Sequence, residues 1–517
     1  MIRLSGTDAL FLNMETRYWH QHVGGLTILD TSEAPDFGHE ALIAMLEERL
    51  VYAPKFSWRL KEVPFGLDRP VWVDDPHFDV RRHVRRVGVP APAGPREIAE
   101  LAGEILSYQL DRRRPLWELW VLEGIPGDRA AMLLKYHHCL LDGVSGASLA
   151  TVMMDMEPFP DVGTRPPIPP RRAGAEPSDL NLLARALLPG ASTPARLLRY
   201  GSQLMGRAIA TADYARHGGD LPPLTSVPRT SINAEIGPHR ALSFASVALD
   251  DVRALRSAHD VKVNDVVLAL CSGALRHFLA NRDELPSKSL ISGVPVSPRA
   301  EGDTAMDNQI ATMQVSLATH LDHPVERLLA IHRSSQAAKE MTDAVRARHI
   351  QSIGETAPPL LLNFAIRTAA SSHVLNRLPT TANVLVSNVP GPPMSLYMAG
   401  AKVLGSYSTS VSHEGMGLNI TLCSYEDRFD FGLHMDPELV EDPWELAGGV
   451  PLALEELMTA SGLGSPTQVG TPFGDEGPST SAGPVTPTVT AEPRPKRTAT
   501  GKTKKKAAKK KAANSPG

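Results

Sequence analysis

The segment His137-His138-Cys139-Leu140-Leu141-Asp142-Gly143 concentrates the side chains best suited to chemistry. An imidazole has an unperturbed pKa near ~6.5 and can accept a proton at neutral pH. Two adjacent histidines on an extended backbone project in different directions, so one can enter a channel while the other packs inward. Asp142 stands where a loop turns into a helix, and Gly143 permits close backbone approach. A pair of core histidines with a capping aspartate would use the same residues. Cys139 has no evident third group to orient a Cys–His nucleophile pair. Alternation turns it away from His138, and it reads as a small buried apolar residue.

The elements around this segment set its context. Residues 117–125 and 130–136 read as two strands, with Pro126-Gly127-Asp128 supplying the turn between them. Residues 137–143 follow the second strand directly, and 144–156 read as a helix. Earlier, 40–50 and 95–110 carry helical periodicity, the latter through Ile98, Leu101, Ile105 and Leu106. Residues 71–73 and 80–87 read as strands. Residues 158–177 hold seven prolines, a linker composition. Residues 180–216 read as two helical pieces divided by Pro189-Gly190. Further on, 242–249, 383–387 and 418–424 read as strands and 263–279 as a helix. The division expected is an α/β (α+β) region at 1–157, a linker with amphipathic helices at 158–227, a second α/β region at 228–463 and a disordered tail at 464–517.

Composition excludes several classes. The 517 residues are 42% hydrophobic and 21% charged, ordinary for a globular protein. The net charge of −4 does not mark a nucleic-acid binder. It hides an asymmetry. Residues 465–517 carry eight lysines and two arginines against three acids, a net +7, which leaves −11 on the rest. Cys139, Cys271 and Cys423 form no C-x-x-C pair, and a reducing interior is expected. The N-terminus lacks the charged start and apolar run of a signal peptide, and no run of ~18 uncharged apolar residues occurs.

Other motifs are incomplete. Gly501-Lys502-Thr503 resembles the end of a phosphate-binding loop, but Lys496 stands where its first glycine belongs. Gly143-Val144-Ser145-Gly146-Ala147 misses the nucleophile elbow at its last position. Asp74, Asp75, His77, Asp79 and His83 are metal ligands by type, yet they lie on a polar strand-like stretch broken by Pro76 and read as a solvated face. No metal is expected.

Residues 137–143 match the His-His-x-x-x-Asp-Gly signature of the chloramphenicol-acetyltransferase-like superfamily, which includes carnitine acyltransferases, peptide-synthetase condensation domains and wax ester synthase/diacylglycerol acyltransferases. Further segments resemble the last group: Leu4-Ser5-Gly6-Thr7-Asp8, Pro115-Leu116-Trp117, Asn264-Asp265, 294–299 ending in Arg299, Ser387-Asn388-Val389-Pro390-Gly391-Pro392 and Gly417-Leu418-Asn419-Ile420. The resemblance spans about residues 1–463. One departure is His20-Gln21-His22-Val23-Gly24, where the family commonly has Pro-Met-His-Val-Gly.

The resemblance implies two chloramphenicol-acetyltransferase-like domains with a substrate tunnel between them. It implies transfer of an acyl group from long-chain acyl-CoA to diacylglycerol, making triacylglycerol. A fatty alcohol in wax ester synthesis, or another acceptor in condensation-type chemistry, is the alternative. His138 is placed as general base, with His137 and Gly143 in the same motif. Asp142 is expected to pair structurally with Arg299. Asn264 and Asp265 are expected to cap a helix, Pro115, Leu116 and Trp117 to pack or line the tunnel, and Asn388 to position substrate or hold its own turn. No cofactor is expected, acyl-CoA being a co-substrate. A cytoplasmic enzyme held peripherally at the membrane's inner face or at lipid inclusions is expected, with the basic tail binding anionic lipid or nucleic acid.

Overall fold

The computed structural model describes residues 2–140, 152–160, 174–187, 227–296, 311–346, 367–368, 380–470 and 472–473. Two six-stranded sheets and one three-stranded sheet organise them. The hairpin expected around Pro126 is present, as β6 (Trp117–Glu123) and β7 (Arg129–His137). Gly127 and Asp128 take left-handed φ of 76° and 52° in the turn, a conformation glycine and aspartate tolerate. β7 pairs antiparallel with β2 (His22–Asp30), His22 opposite His137. β5 (Val84–Gly88) adds parallel to β6 on the other side.

Residues 80–82 depart from the expected strand. The Asp79 carboxylate accepts from the Arg81 N–H at 3.0 Å and caps a short 3₁₀ turn, so extended pairing begins only at Val84. The helix α3 (Pro95–Leu106) also ends earlier than expected. The Ser107 hydroxyl donates back to Gly103 O, and the buried Lys135 ammonium takes Ile105 O at 2.8 Å. These bonds satisfy carbonyls that a continued helix would have used. Burial lowers the Lys135 pKa to about 8.

Beyond the linker, β8 (Ala241–Ala248), β9 (Ile291–Val296), β10 (Ala311–Ser316), β11 (Val384–Val389), β14 (Leu418–Tyr425) and β15 (Arg428–Met435) form the second large sheet. The helices α6 (Val263–Ala280), α7 (Pro324–Arg346) and α8 (Pro443–Ala460) build its apolar core. α6 and α8 cross closely because small residues face each other: a Cβ on Gly273 would lie 2.4 Å from that of Ala453. Among the described residues α6 alone is long and apolar enough to cross a membrane, and 72% of it is buried in this core.

Strands β12 (Tyr397–Met398) and β13 (Ala401–Thr409) belong by sequence to the second region but join the first sheet, β13 pairing with β2. The sheet division therefore does not follow the sequence division. Residues 1–477 form one compact unit. Two residues of the tail expected from 464 make specific contacts. Thr467 donates through N–H and hydroxyl to Asp251, and Phe473 stacks on Phe244 at 5.3 Å. An aspartate acceptor and an aromatic slot hold this stretch despite its loop-like composition. The lysine-rich residues lie outside the described ones.

Candidate active site

The histidine pair sits at the C-terminal end of β7, a strand held on both sides. The His137 N–H donates to Leu116 O at 3.0 Å, on the β6 side. The His138 N–H donates to Gln21 O at 2.8 Å, beside the start of β2. Pro115, Leu116 and Trp117 are all buried, and the Trp117 indole donates to Phe56 O at 2.7 Å while stacking on His83 at 4.6 Å. The Pro-Leu-Trp element thus lies in the first region's core and fixes the strand that carries His137.

Helix α1 (Gly6–Met14) completes the support. Ser5 caps it, accepting from the Asp8 N–H at 3.0 Å, which accounts for the polar Ser-Gly-Thr-Asp opening. Phe11, on this helix, stacks on the His138 ring at 4.0 Å with only 7° between planes. Four residues further on, Glu15, the extended C-cap residue just past the helix, reaches the neighbouring ring. Its carboxylate, 3% exposed, lies 3.6 Å from His137 Nε2 and 3.3 Å from His22 Nε2, and accepts from Arg112 Nε at 3.0 Å.

These contacts fix protonation states. The Cys139 N–H donates to His137 Nδ1 at 3.1 Å, so the ring's proton belongs on Nε2, toward Glu15. Burial works to raise the Glu15 carboxyl, but hydrogen bonding from His137 and His22 holds it far below the usual carboxylate range. Burial pushes His22 well below its ordinary value against the pull of Glu15, leaving that ring neutral. Burial also lowers His20, with the Arg240 charge adding to it. Cys139 is buried in the core, and burial drives its thiol well above the usual range, which removes it as a nucleophile.

The remaining sequence-derived residues separate. Asp265 is buried at the start of α6, accepting from the Lys262 N–H at 3.0 Å and meeting His332 Nδ1 at 2.6 Å. Asn264 beside it is half-buried. Asn388 is half-buried on β11, opposite Leu422 of β14. Asp142, Gly143, Arg299 and the helix expected at 144–156 lie outside the described residues, except for its last few positions. Glu15, Phe11 and Arg112 were not among the sequence candidates. Their only sequence signal is that Phe11 and Glu15 lie on and just past a capped helix.

A strand-end histidine pair, one ring braced by a carboxylate and the other stacked on an aromatic, is an arrangement suited to proton transfer during acyl transfer. The wax ester synthase/diacylglycerol acyltransferase catalytic domain matches residues 4–267, and the WS/DGAT C-terminal domain matches 306–458. The chain is 35% identical over 469 residues to a putative diacylglycerol O-acyltransferase of Mycobacterium tuberculosis, covering 89% of this chain and 91% of the relative. A probable diacylglycerol O-acyltransferase of the same species is 34% identical, covering 88% of this chain and 98% of its own length. The solved wax ester synthase/diacylglycerol acyltransferase from Marinobacter aquaeolei VT8 superposes with a TM-score of 0.64 at 32% identity, over 90% of this chain and all of that one. The chain belongs to the wax ester synthase/diacylglycerol acyltransferase family and is an acyltransferase.

Proposed function

We propose that the enzyme transfers the acyl group of a long-chain acyl-CoA to the free hydroxyl of diacylglycerol, yielding triacylglycerol and CoA. His138 acts as general base. It removes the hydroxyl proton as the oxygen attacks the thioester carbonyl; the C–S bond then breaks, and the CoA thiolate leaves and recovers the proton. A free alcohol is far too weak an acid to ionise at neutral pH, and such assistance contributes typically ~10²–10⁴ in rate. Acyl-CoA is a co-substrate, and the step uses no cofactor. The observation that carries this reading is the half-buried His138 ring, stacked on Phe11 and tied through its backbone to Gln21. His137, buried behind it against Glu15, orients the strand end.

A long-chain alcohol in place of diacylglycerol would give a wax ester by the same chemistry. The acceptors are lipids, so the enzyme works at a membrane or lipid-inclusion surface on its cytoplasmic side, where the basic tail meets anionic headgroups. The test offers radiolabelled palmitoyl-CoA to diacylglycerol, to hexadecanol and to no acceptor, with products separated by lipid class. His138→Ala should lower transfer by at least ~10²-fold without shifting the melting temperature. Near-normal turnover in a folded His138→Ala enzyme would exclude the mechanism.

A further inference from the structure

Gln21 presents a polar group that no described residue uses. Its side chain is 0% exposed, and neither Nε2 nor Oε1 has a hydrogen-bond partner among the described residues. Buried amides are ordinarily paired, because leaving one bare sacrifices its hydrogen bonds to water. Among the described residues nothing pairs it, and solvent admitted to the site or a substrate can.

The position is specific. Gln21 precedes β2, in which His22 stands opposite His137. One step along, Gln21 stands opposite His138, and its carbonyl accepts the His138 N–H at 2.8 Å. His22 and His137 share the face that holds Glu15. Strand alternation puts Gln21 on the other face, the one to which His138 belongs. The position holds an amide with two N–H donors and one acceptor oxygen.

We infer that Gln21 is an acceptor-selecting residue, its amide donating to an ester carbonyl of diacylglycerol while the neighbouring hydroxyl lies at His138. This rests on the reading that His138 serves acyl transfer to diacylglycerol. The two acceptors differ where the amide would sense it. Diacylglycerol carries ester carbonyls next to its free hydroxyl, whereas a fatty alcohol carries only methylenes there. A site that buries a donor favours the substrate that pairs it and disfavours the analogue that leaves it bare.

The test compares wild-type enzyme with Gln21→Met and Gln21→Leu, using palmitoyl-CoA with dipalmitoylglycerol or with hexadecanol. The ratio of kcat/KM for diacylglycerol to that for hexadecanol should fall by about 10-fold or more in both variants. Both variants should melt at or above the wild-type temperature without substrate, because each removes a buried unpaired amide. An unchanged ratio, an equal loss on both acceptors, or a fall in melting temperature would each overturn the inference. The last would mean that the amide is already satisfied within the fold. Failure of the underlying reading is separate: wild-type enzyme would make no triacylglycerol, or His138→Ala would stay active.

Discussion

Glu15→Ala tests whether the buried carboxylate organises the histidine end of β7. The side chain is 3% exposed and meets Arg112, His22 and His137 at 3.0, 3.3 and 3.6 Å. Removing one partner from a buried ion pair costs ~3–5 kcal/mol. Arg112 is 37% exposed and regains water when its partner goes, so the low end applies, about 3 kcal/mol. At roughly 2 °C per kcal/mol for a large unit, the melting temperature should fall by about 6 °C. Acyl transfer should fall as well, since the His137 ring loses the carboxylate that faces its Nε2 at 3.6 Å.

The pH dependence separates this from a generic packing loss. Glu15 titrates far lower in the folded chain than its ordinary 4.5. Such a carboxylate stabilises fully above the unfolded value and loses that stabilisation as pH falls toward the folded one. The gap between wild type and Glu15→Ala should therefore be constant from pH 5.5 to 8 and close below about pH 4.5. Thermal melts in matched buffers measure it. A gap that persists unchanged at pH 3.5 would refute an ionised Glu15 and leave only lost packing.

Three further outcomes follow from named groups. Burial lowers His413 to about 4 and His434 to about 3, so the unfolded chain binds protons first as pH falls below ~6.5. At pH 5 each costs about 2 kcal/mol, while Asp430, raised to about 6 by burial, returns about 1.4 kcal/mol over the same range. These three groups alone give a net loss of about 2.6 kcal/mol between pH 7.5 and 5, to which the lowered His20, His22 and His83 add; denaturant melts should show the fall, and it should shrink in His434→Gln. For Asp142 and Arg299, single alanine variants should each lower the melting temperature, and the double variant should be less than additive; strict additivity would mean that they do not pair. Truncation after Gly477, which spares the Thr467 and Phe473 contacts, should keep activity on detergent-dispersed substrate. It should lose salt-sensitive binding to anionic vesicles, and unchanged binding at low salt would clear the tail of that role.

What the sequence reveals follows from the range of each interaction. The β6–β7 hairpin is legible because its alternation and its turn residues are contiguous, and the histidine pair falls at its end for the same reason. Residues 80–87 alternate convincingly, but one local bond from Arg81 N–H to Asp79 outweighs alternation over the first three. Helix α3 stops short because Lys135, about thirty residues away, supplies its terminal hydrogen bonds. Ala401–Thr409 shows a further limit, since alternation says which face of a strand is buried but not which strand lies beside it.

Glu15 lies beyond sequence reading in a stronger sense. Its partners are residues 22, 112 and 137, each contributed by a different element, and none is spaced to suggest the others. Yet the elements that bring them together are individually explicable: a serine-capped helix, a strand opening on His22, a loop leaving α3 and the end of β7. The family signature names the two histidines but not their different surroundings. In this fold Phe11 of α1 packs against one ring, and Glu15 at the end of that helix faces the other. A ring held between a backbone N–H and a carboxylate is committed to one tautomer. On the proposed mechanism, the division of labour between His138 and His137 is set by what packs behind them rather than by their place in the motif.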